Sequence, residues 1–238
     1  MTTMDRPVMV ASGLRSPLGQ ALLAQLGSDW EVLALGREPV AHQGVTWLGA
    51  DFRQPQETWR RDLSDWLERR GKPVQALVHA AGTVFSTPLE FTTADELKST
   101  LTVNLASALQ MGQTVSPHFA PGGRVVLVGS VDARYASQDG AAAAYGAAKA
   151  GLEGLARHWA AEWGERQICV NVVAPGALQG GMGPADDATA ERLRERIALG
   201  RLGRPEEAAA AIAFLLSPGA AYITGTTIAV DGGLNLTY

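Results

Sequence analysis

The chain has 238 residues, a formal charge of −4, 46% hydrophobic and 18% charged residues, and a single cysteine, Cys169. That length can bury one sizeable core, the acidic balance offers no basic footprint for nucleic acid or a membrane surface, and one cysteine excludes a disulfide framework or a cysteine metal cluster. The first residues contain no apolar leader core and no apolar run reaches membrane-spanning length, so a cytoplasmic protein is expected.

In chain order, short apolar runs at residues 8–11, 30–35, 45–48, 76–79, 124–128, 168–173 and 227–230 read as seven strands. Helical spacing falls between them, at 17–26, 58–70, 94–115, 141–163, 188–198 and 205–216. Strands alternating with helices imply parallel pairing through right-handed crossovers, and runs without period-two polarity suit strands covered on both faces. The expected fold class is α/β: a single-domain, Rossmann-like, doubly wound parallel sheet with helices on both faces, spanning residues 1–238. His42, His79, His118 and His158 have no metal-ligand spacing, so no metal site is expected.

The chemistry-bearing group is Tyr145-Gly-Ala-Ala-Lys149, with Ser130 fifteen residues upstream of the tyrosine and Asn104 further back. Residues four apart on a helix share a face, so the phenol and the ammonium point the same way. A neighbouring ammonium favours phenolate, which predicts a Tyr145 pKa below the usual value of about 10 and a proton donor or acceptor for a carbonyl/alcohol pair. Ser130, ending an apolar run, is placed to hydrogen-bond the same substrate oxygen. Tyr-x-x-x-Lys alone is a weak signal, and its weight comes from its surroundings.

In a doubly wound sheet the ligand lies at the carboxyl ends of the strands, where strand order reverses. The first turn there is Ser12-Gly13-Leu14-Arg15-Ser16-Pro17-Leu18-Gly19. Glycine lets backbone approach a pyrophosphate, whose charge meets the N–H groups opening the next helix, although a glycine loop in isolation does no more than turn the chain.

With these motifs in this order the chain resembles the short-chain dehydrogenase/reductases from its first strand to its last. Ser12, Gly13 and Gly19 match the family's Thr-Gly-x-x-x-Gly-x-Gly, while Pro17 replaces the middle glycine; a changed phosphate seat, not a lost one, is expected, since proline suits a first helical turn. The resemblance implies that Asp51 contacts adenine, that Ala80, Ala81 and Gly82 line the adenine ribose (with His79 in place of an asparagine), and that Pro175 and Gly176 flank the nicotinamide. It also implies a catalytic set of Asn104, Ser130, Tyr145 and Lys149, with Asn104 joining a proton relay through a water. Where the family often has a threonine contacting the carboxamide, the chain has Gly180. Residues 201–207 and 223–233 resemble the C-terminal signature of the 3-oxoacyl-acyl-carrier-protein reductase branch.

The second strand ends Ala34-Leu35-Gly36-Arg37-Glu38. A carboxylate at its end would hold a ribose 2′-hydroxyl and an arginine a 2′-phosphate, so Arg37, helped by Arg15, favours NADP(H), with NAD(H) as the alternative through Glu38. The resemblance implies a small carbonyl or alcohol substrate, a 3-oxoacyl thioester or another ketone. Residues 177–200, with Gly180, Gly181 and Gly183, read as a substrate lid. The small face of the long helix (Ala147, Ala150, Gly151, Gly154) implies a homodimer or homotetramer, and His158, Trp159 and Trp163 on the same helix read as packing residues. The competing reading is a non-catalytic dinucleotide-binding regulatory or scaffold protein of the same fold.

Overall fold

A computed structural model describes residues 6–54, 57–136, 142–184 and 186–236. Seven strands form one parallel sheet: β1 (Val8–Ser12), β2 (Glu31–Gly36), β3 (Val45–Gly49), β4 (Val74–His79), β5 (Phe119–Val128), β6 (Cys169–Pro175) and β7 (Thr227–Val230). They are ordered β3-β2-β1-β4-β5-β6-β7. The order reverses between β1 and β4, so the carboxyl ends of those two strands bound the crevice where a ligand belongs.

The inner strands are largely apolar because each face packs on helices. Along β1, Val8 and Val10 enter one core while Met9 and Ala11 enter the other. The first core is filled by α2 (Glu57–Arg70), α4 (Ser107–Val115) and α5 (Ala143–Trp163), through Leu63, Leu67, Met111, Val115, Leu152 and Trp159. The second is filled by α1 (Pro17–Leu26) and α7 (Pro205–Leu216), through Leu22, Leu23, Ile212 and Leu215. Burial on both faces does not extend to β3. It is the sheet edge, with Thr46 and Trp47 exposed, because nothing follows it in the strand order.

The expected helix over 94–115 is one rod with a defect. α3 (Ala94–Leu101) opens on a capping box, Thr93 Oγ1 accepting from Glu96 N–H at 3.2 Å and Glu96 Oε2 from Thr93 N–H at 2.9 Å. A π-turn then occupies Thr102–Ala106 before α4 begins, with Ser107 N–H bonded back to Thr102 C=O. Propensity carries no sign of that extra residue; tertiary position decides it. α6 (Asp187–Arg196) covers the carboxyl edge, with Asp186 accepting from Thr189 N–H at 2.7 Å as its N-cap. No helix among the described residues is long and apolar enough to cross a membrane. Ala141 and part of the Ser130–Tyr145 connection lie outside the described residues.

Candidate active site and dinucleotide cleft

A cleft of about 760 Å³ opens along the carboxyl ends of the strands at the reversal point. Gly13, Arg15, Leu18, Arg37, Asp51, Ala80, Ala81, Gly82, Ser130, Tyr145, Lys149, Pro175 and Gly176 all line it. Ser12, Gly19 and Asn104 are set behind its wall: Ser12 Oγ accepts from Ala81 N–H at 3.3 Å, Gly19 is buried in α1, and Asn104 is fully buried.

At the first turn, Gly13 has φ of +75° and its missing side chain is a necessity, because a Cβ would stand 2.3 Å from Ala80 C. That contact seats the phosphate turn against the end of β4. Ser16 caps α1, accepting from Gly19 N–H at 3.1 Å and donating to Gly13 C=O at 2.8 Å. Pro17 therefore occupies the first helical position, where an N–H has no intrahelical partner and its fixed φ fits. Gly19 N–H is taken by Ser16, whereas Leu18, whose N–H has no partner within the helix, lines the cleft.

At the far end of the cleft, Arg37 stands beside Asp51, and Arg15 pairs with Glu38. Glu38 is thus engaged by a cation. Asp51 is gripped by Arg53, whose Nε and Nη2 reach its two oxygens at 3.0 and 2.7 Å. That Arg53 contact, reinforced by the charge of Arg37, holds the Asp51 carboxyl below its ordinary range. Arg53 and Trp47 both line this end and were not marked by sequence reasoning; the indole Nε1 of Trp47 donates to Gly36 C=O at 3.0 Å. The fork between Arg53 and Asp51, two residues apart, was the available signal for the former.

At the inner end, Lys149 is fully buried and its Nζ donates to Val128 C=O at 2.8 Å. It lies over the Tyr145 ring, 5.5 Å from the centroid. The expectation that Lys149 lowers the tyrosine pKa does not hold in this state. Burial pushes Tyr145 up to about 12, the Ser130 hydroxyl pulls it back down, and the charge of Asp132 adds to the rise. Burial also lowers Lys149 to about 8. Asp132 is the second feature that sequence reasoning missed, although it stands only two residues beyond Ser130. Ser130 Oγ donates to Asp132 Oδ2 at 3.1 Å and accepts from Asp132 N–H at 3.2 Å.

Asn104 sits on the π-turn and clamps a loop. Its Nδ2 donates to Thr83 C=O at 2.7 Å and Thr100 C=O at 2.9 Å, while Oδ1 accepts from Thr83 N–H at 3.3 Å. A Cβ on Gly82 would stand 2.9 Å from Asn104 Oδ1 and 3.6 Å from Lys149 Nζ, so glycine there keeps open the space beside both. His79, also buried, pairs through Nε2 with Ser107 Oγ at 2.7 Å. Because Ser107 donates its own proton to Val103 C=O at 2.7 Å, the imidazole must donate, which leaves Nδ1 as an unpaired acceptor. Burial lowers the His79 pKa to about 3.

The remaining walls are pinned from β6 and β7. Asn171 donates to Ile223 C=O at 2.7 Å and accepts from Thr226 N–H at 3.2 Å, tying the C-terminal signature to the sheet. Gly176 abuts Asp231, whose Cβ would lie 2.7 Å from a Cβ on the glycine. Ala177–Pro184 borders the cleft, with Gly180 and Gly181 at φ of +72° and +61°. On α5, Ala147 and Ala150 are exposed and a Cβ on Gly154 would meet nothing within 4 Å. Trp159 and Trp163 pack in the core as expected, stacked at 5.0 Å, but His158 is exposed because its helical position faces outward with Ala147 and Gly154.

Residues 37–235 match the family model described as enoyl-(acyl carrier protein) reductase. The 3-oxoacyl-[acyl-carrier-protein] reductase FabG of Pseudomonas aeruginosa is 34% identical across 97% of this chain and 98% of that protein. A longer Sinorhizobium fredii short-chain type dehydrogenase/reductase is 32% identical across 95% of this chain, which spans 43% of it. Among solved structures, a blue fluorescent protein from a metagenomic library, in complex with NADPH, superposes with a TM-score of 0.87 at 27% identity, covering 97% of this chain and 98% of that one. The chain belongs to the short-chain dehydrogenase/reductase family, oxidoreductases that interconvert alcohols and carbonyl compounds with a nicotinamide dinucleotide.

Proposed function

We propose that this protein is an NADP(H)-dependent reductase of a small ketone or 3-oxoacyl thioester, with Tyr145 as its general acid. One observation carries the reading. Ser130, Tyr145 and Lys149 line the inner end of the same cleft whose outer end holds Arg15, Arg37 and Arg53 beside the opening of α1. The residues fit a dinucleotide: Gly82 keeps open the space beside Asn104 and Lys149, and Gly13 lets the turn seat against the end of β4 with Leu18 opening α1 along the cleft. Arg37, with Arg15 and Arg53 nearby, suits a 2′-phosphate, since guanidinium groups offer a bidentate fork. Kinship with FabG and the NADPH-bound structural relative supports the same preference.

When bound, NADPH supplies the hydride. The chain supplies the proton and the placement. Ser130 Oγ turns its proton from Asp132 to the carbonyl oxygen, and Tyr145 Oη gives that oxygen its proton as the carbonyl carbon is reduced. A phenol held near pKa 12 is protonated at working pH, so the proton to be transferred is present before the reaction. Lys149, anchored on Val128 C=O, holds its ammonium over the ring at the inner end of the cleft, where it would bind the nicotinamide ribose. Asn104, on the π-turn, acts by fixing the loop at Thr83 beside Gly82 and would join the proton relay through a water. Residues 177–200 act as the lid, hinged at Gly180 and Gly181.

The open Ala147, Ala150 and Gly154 surface of α5 supports close approach of a second copy, hence a homo-oligomer. Pro17 fits at the first position of α1, so it offers no support to a non-catalytic reading. Tyr145→Phe tests the proposal: turnover should vanish while NADPH affinity stays within about threefold, or about 0.7 kcal/mol. A mutant with wild-type turnover overturns it.

A further inference from the structure

Among the described residues, Asp132 is the one charged group at the chemical end of the cleft that the reduction itself does not use. Glu38 and Asp51, the other described carboxylates lining the cleft, lie at its far end, where each is paired with an arginine. Among the described residues Asp132 has no cationic partner. Arg134, two residues on, is committed to Glu153, with Nε at 3.0 and 3.1 Å from its two oxygens, and Lys149 is directed to Val128 C=O. The carboxylate receives only the Ser130 hydroxyl, at 3.1 Å.

Its position is built in. Asp132 lies in a single 3-10 turn, Val131–Ala133, that presses on the first turn of α5, where a Cβ on Gly146 would stand 2.7 Å from Asp132 C=O. The glycine beside Tyr145 therefore admits this turn, and the Ser130 contact aims the side chain at the cleft. Val84, Val131, Leu178 and Met182 form apolar walls around the same end. An unpaired, partly desolvated carboxylate in such a setting is relieved by a cation and opposed by an anion.

We propose that Asp132 is a specificity-determining residue that selects ketones bearing a cationic ammonium group a few ångströms from the reacting carbonyl and rejects carboxylates. The proposal rests on the reductase reading of the cleft and deepens it. Ser130 places the carbonyl oxygen, so a carboxylate hydrogen-bonded to Ser130 is within reach of a charge on the same small ring. Burial raises the Asp132 carboxyl above its ordinary range, as expected of a carboxylate awaiting a counter-charge.

The test uses three ketones of matched shape: 1,1-dimethyl-4-oxopiperidinium, whose charge is permanent, its neutral isostere 4,4-dimethylcyclohexanone, and 4-oxocyclohexane-1-carboxylate. Binding to the full chain is read by calorimetry, with and without NADP+, and NADPH oxidation is followed separately in the same preparations. The expected order is cation, neutral, anion, with at least a tenfold ratio between the first two. That ratio should fall to twofold or less in Asp132→Asn and persist in Asp132→Glu, a comparison within each variant that tolerates a general loss of activity. Equal binding of the three, preference for the carboxylate, binding of none, or a ratio that Asp132→Asn leaves intact overturns the proposal, even where the neutral ketone is reduced. Cation selectivity that follows Asp132 without NADPH oxidation of any ketone upholds the charge assignment and removes the reductase reading.

Discussion

Pro17 and Gly180 pack against one another: a Cβ on Gly180 would stand 3.5 Å from Pro17 Cγ, and one on Gly181 3.3 Å from Pro17 Cδ. The two positions that depart from the family pattern are thus neighbours in space, with the helix-opening proline facing the loop that borders the cleft. Gly180 holds φ of +72°, a conformation costly to residues with a Cβ. Gly180→Ala should lower stability by about 1 kcal/mol and stiffen the lid, visible as a lower urea midpoint and a changed KM. Pro17→Gly should lower stability by about 0.5–1 kcal/mol through the unfolded chain, with NADPH affinity changed less than about tenfold.

The buried lysine makes stability depend on alkaline pH. Its folded pKa of about 8 lies below the ordinary 10.5, so between those values the unfolded chain holds a proton that the folded chain has released. Stability therefore rises with pH through this window, while below pH 8 the folded state carries the full cost of a buried charge. Lys149→Met should be more stable than wild type at pH 7 by up to about 3 kcal/mol, at about 1.4 kcal/mol per pKa unit, and the difference should shrink toward pH 10. Urea denaturation at the two pH values measures it.

His79 acts at the other end of the scale. Folded, it stays neutral down to about pH 3, whereas an ordinary histidine protonates near 6.5. The unfolded chain takes up that proton first, so stability is lost as pH falls from 6.5 toward 3, at about 1.4 kcal/mol per pH unit for this one group. His79→Asn should flatten that part of the profile. An unchanged slope would mean that His79 is not the neutral, Nε2-donating imidazole bonded to Ser107.

Much of the fold was legible because its signals are local. The run at residues 8–11 is apolar at every position, as a strand covered on both faces requires, and Pro17 suits the first turn of α1. The π-turn at Asn104 was not legible, since residues 94–115 carry unbroken helical spacing and the insertion answers to packing. The Tyr145–Lys149 pairing was legible from i,i+4 geometry, but its electrostatics were not. Desolvation depends on what covers both groups, and that overrode the attraction expected from spacing alone. Asp132 and Arg53 escaped notice because a charge two residues from a motif resembles any solvated loop residue until the cleft wall is assembled.

The arginines at the cleft mouth divide unequally. Arg53 is already forked onto Asp51, whereas Arg37 is not held in such a fork among the described residues. Arg37→Ala should weaken NADPH by more than about tenfold, or 1.4 kcal/mol, and NADH by less than about threefold. Arg53→Ala should also weaken NADPH more than NADH, since it frees the Asp51 carboxylate to repel the phosphate. Equal losses for both nucleotides in Arg37→Ala would contradict the 2′-phosphate assignment.

The most direct measurement is a titration of the purified protein with NADPH and, separately, with NADH, following energy transfer to the nicotinamide from its tryptophans, Trp47 at the cleft among them. The account predicts NADPH binding at least about tenfold tighter than NADH. Binding of neither nucleotide, or a preference for NADH, would contradict it.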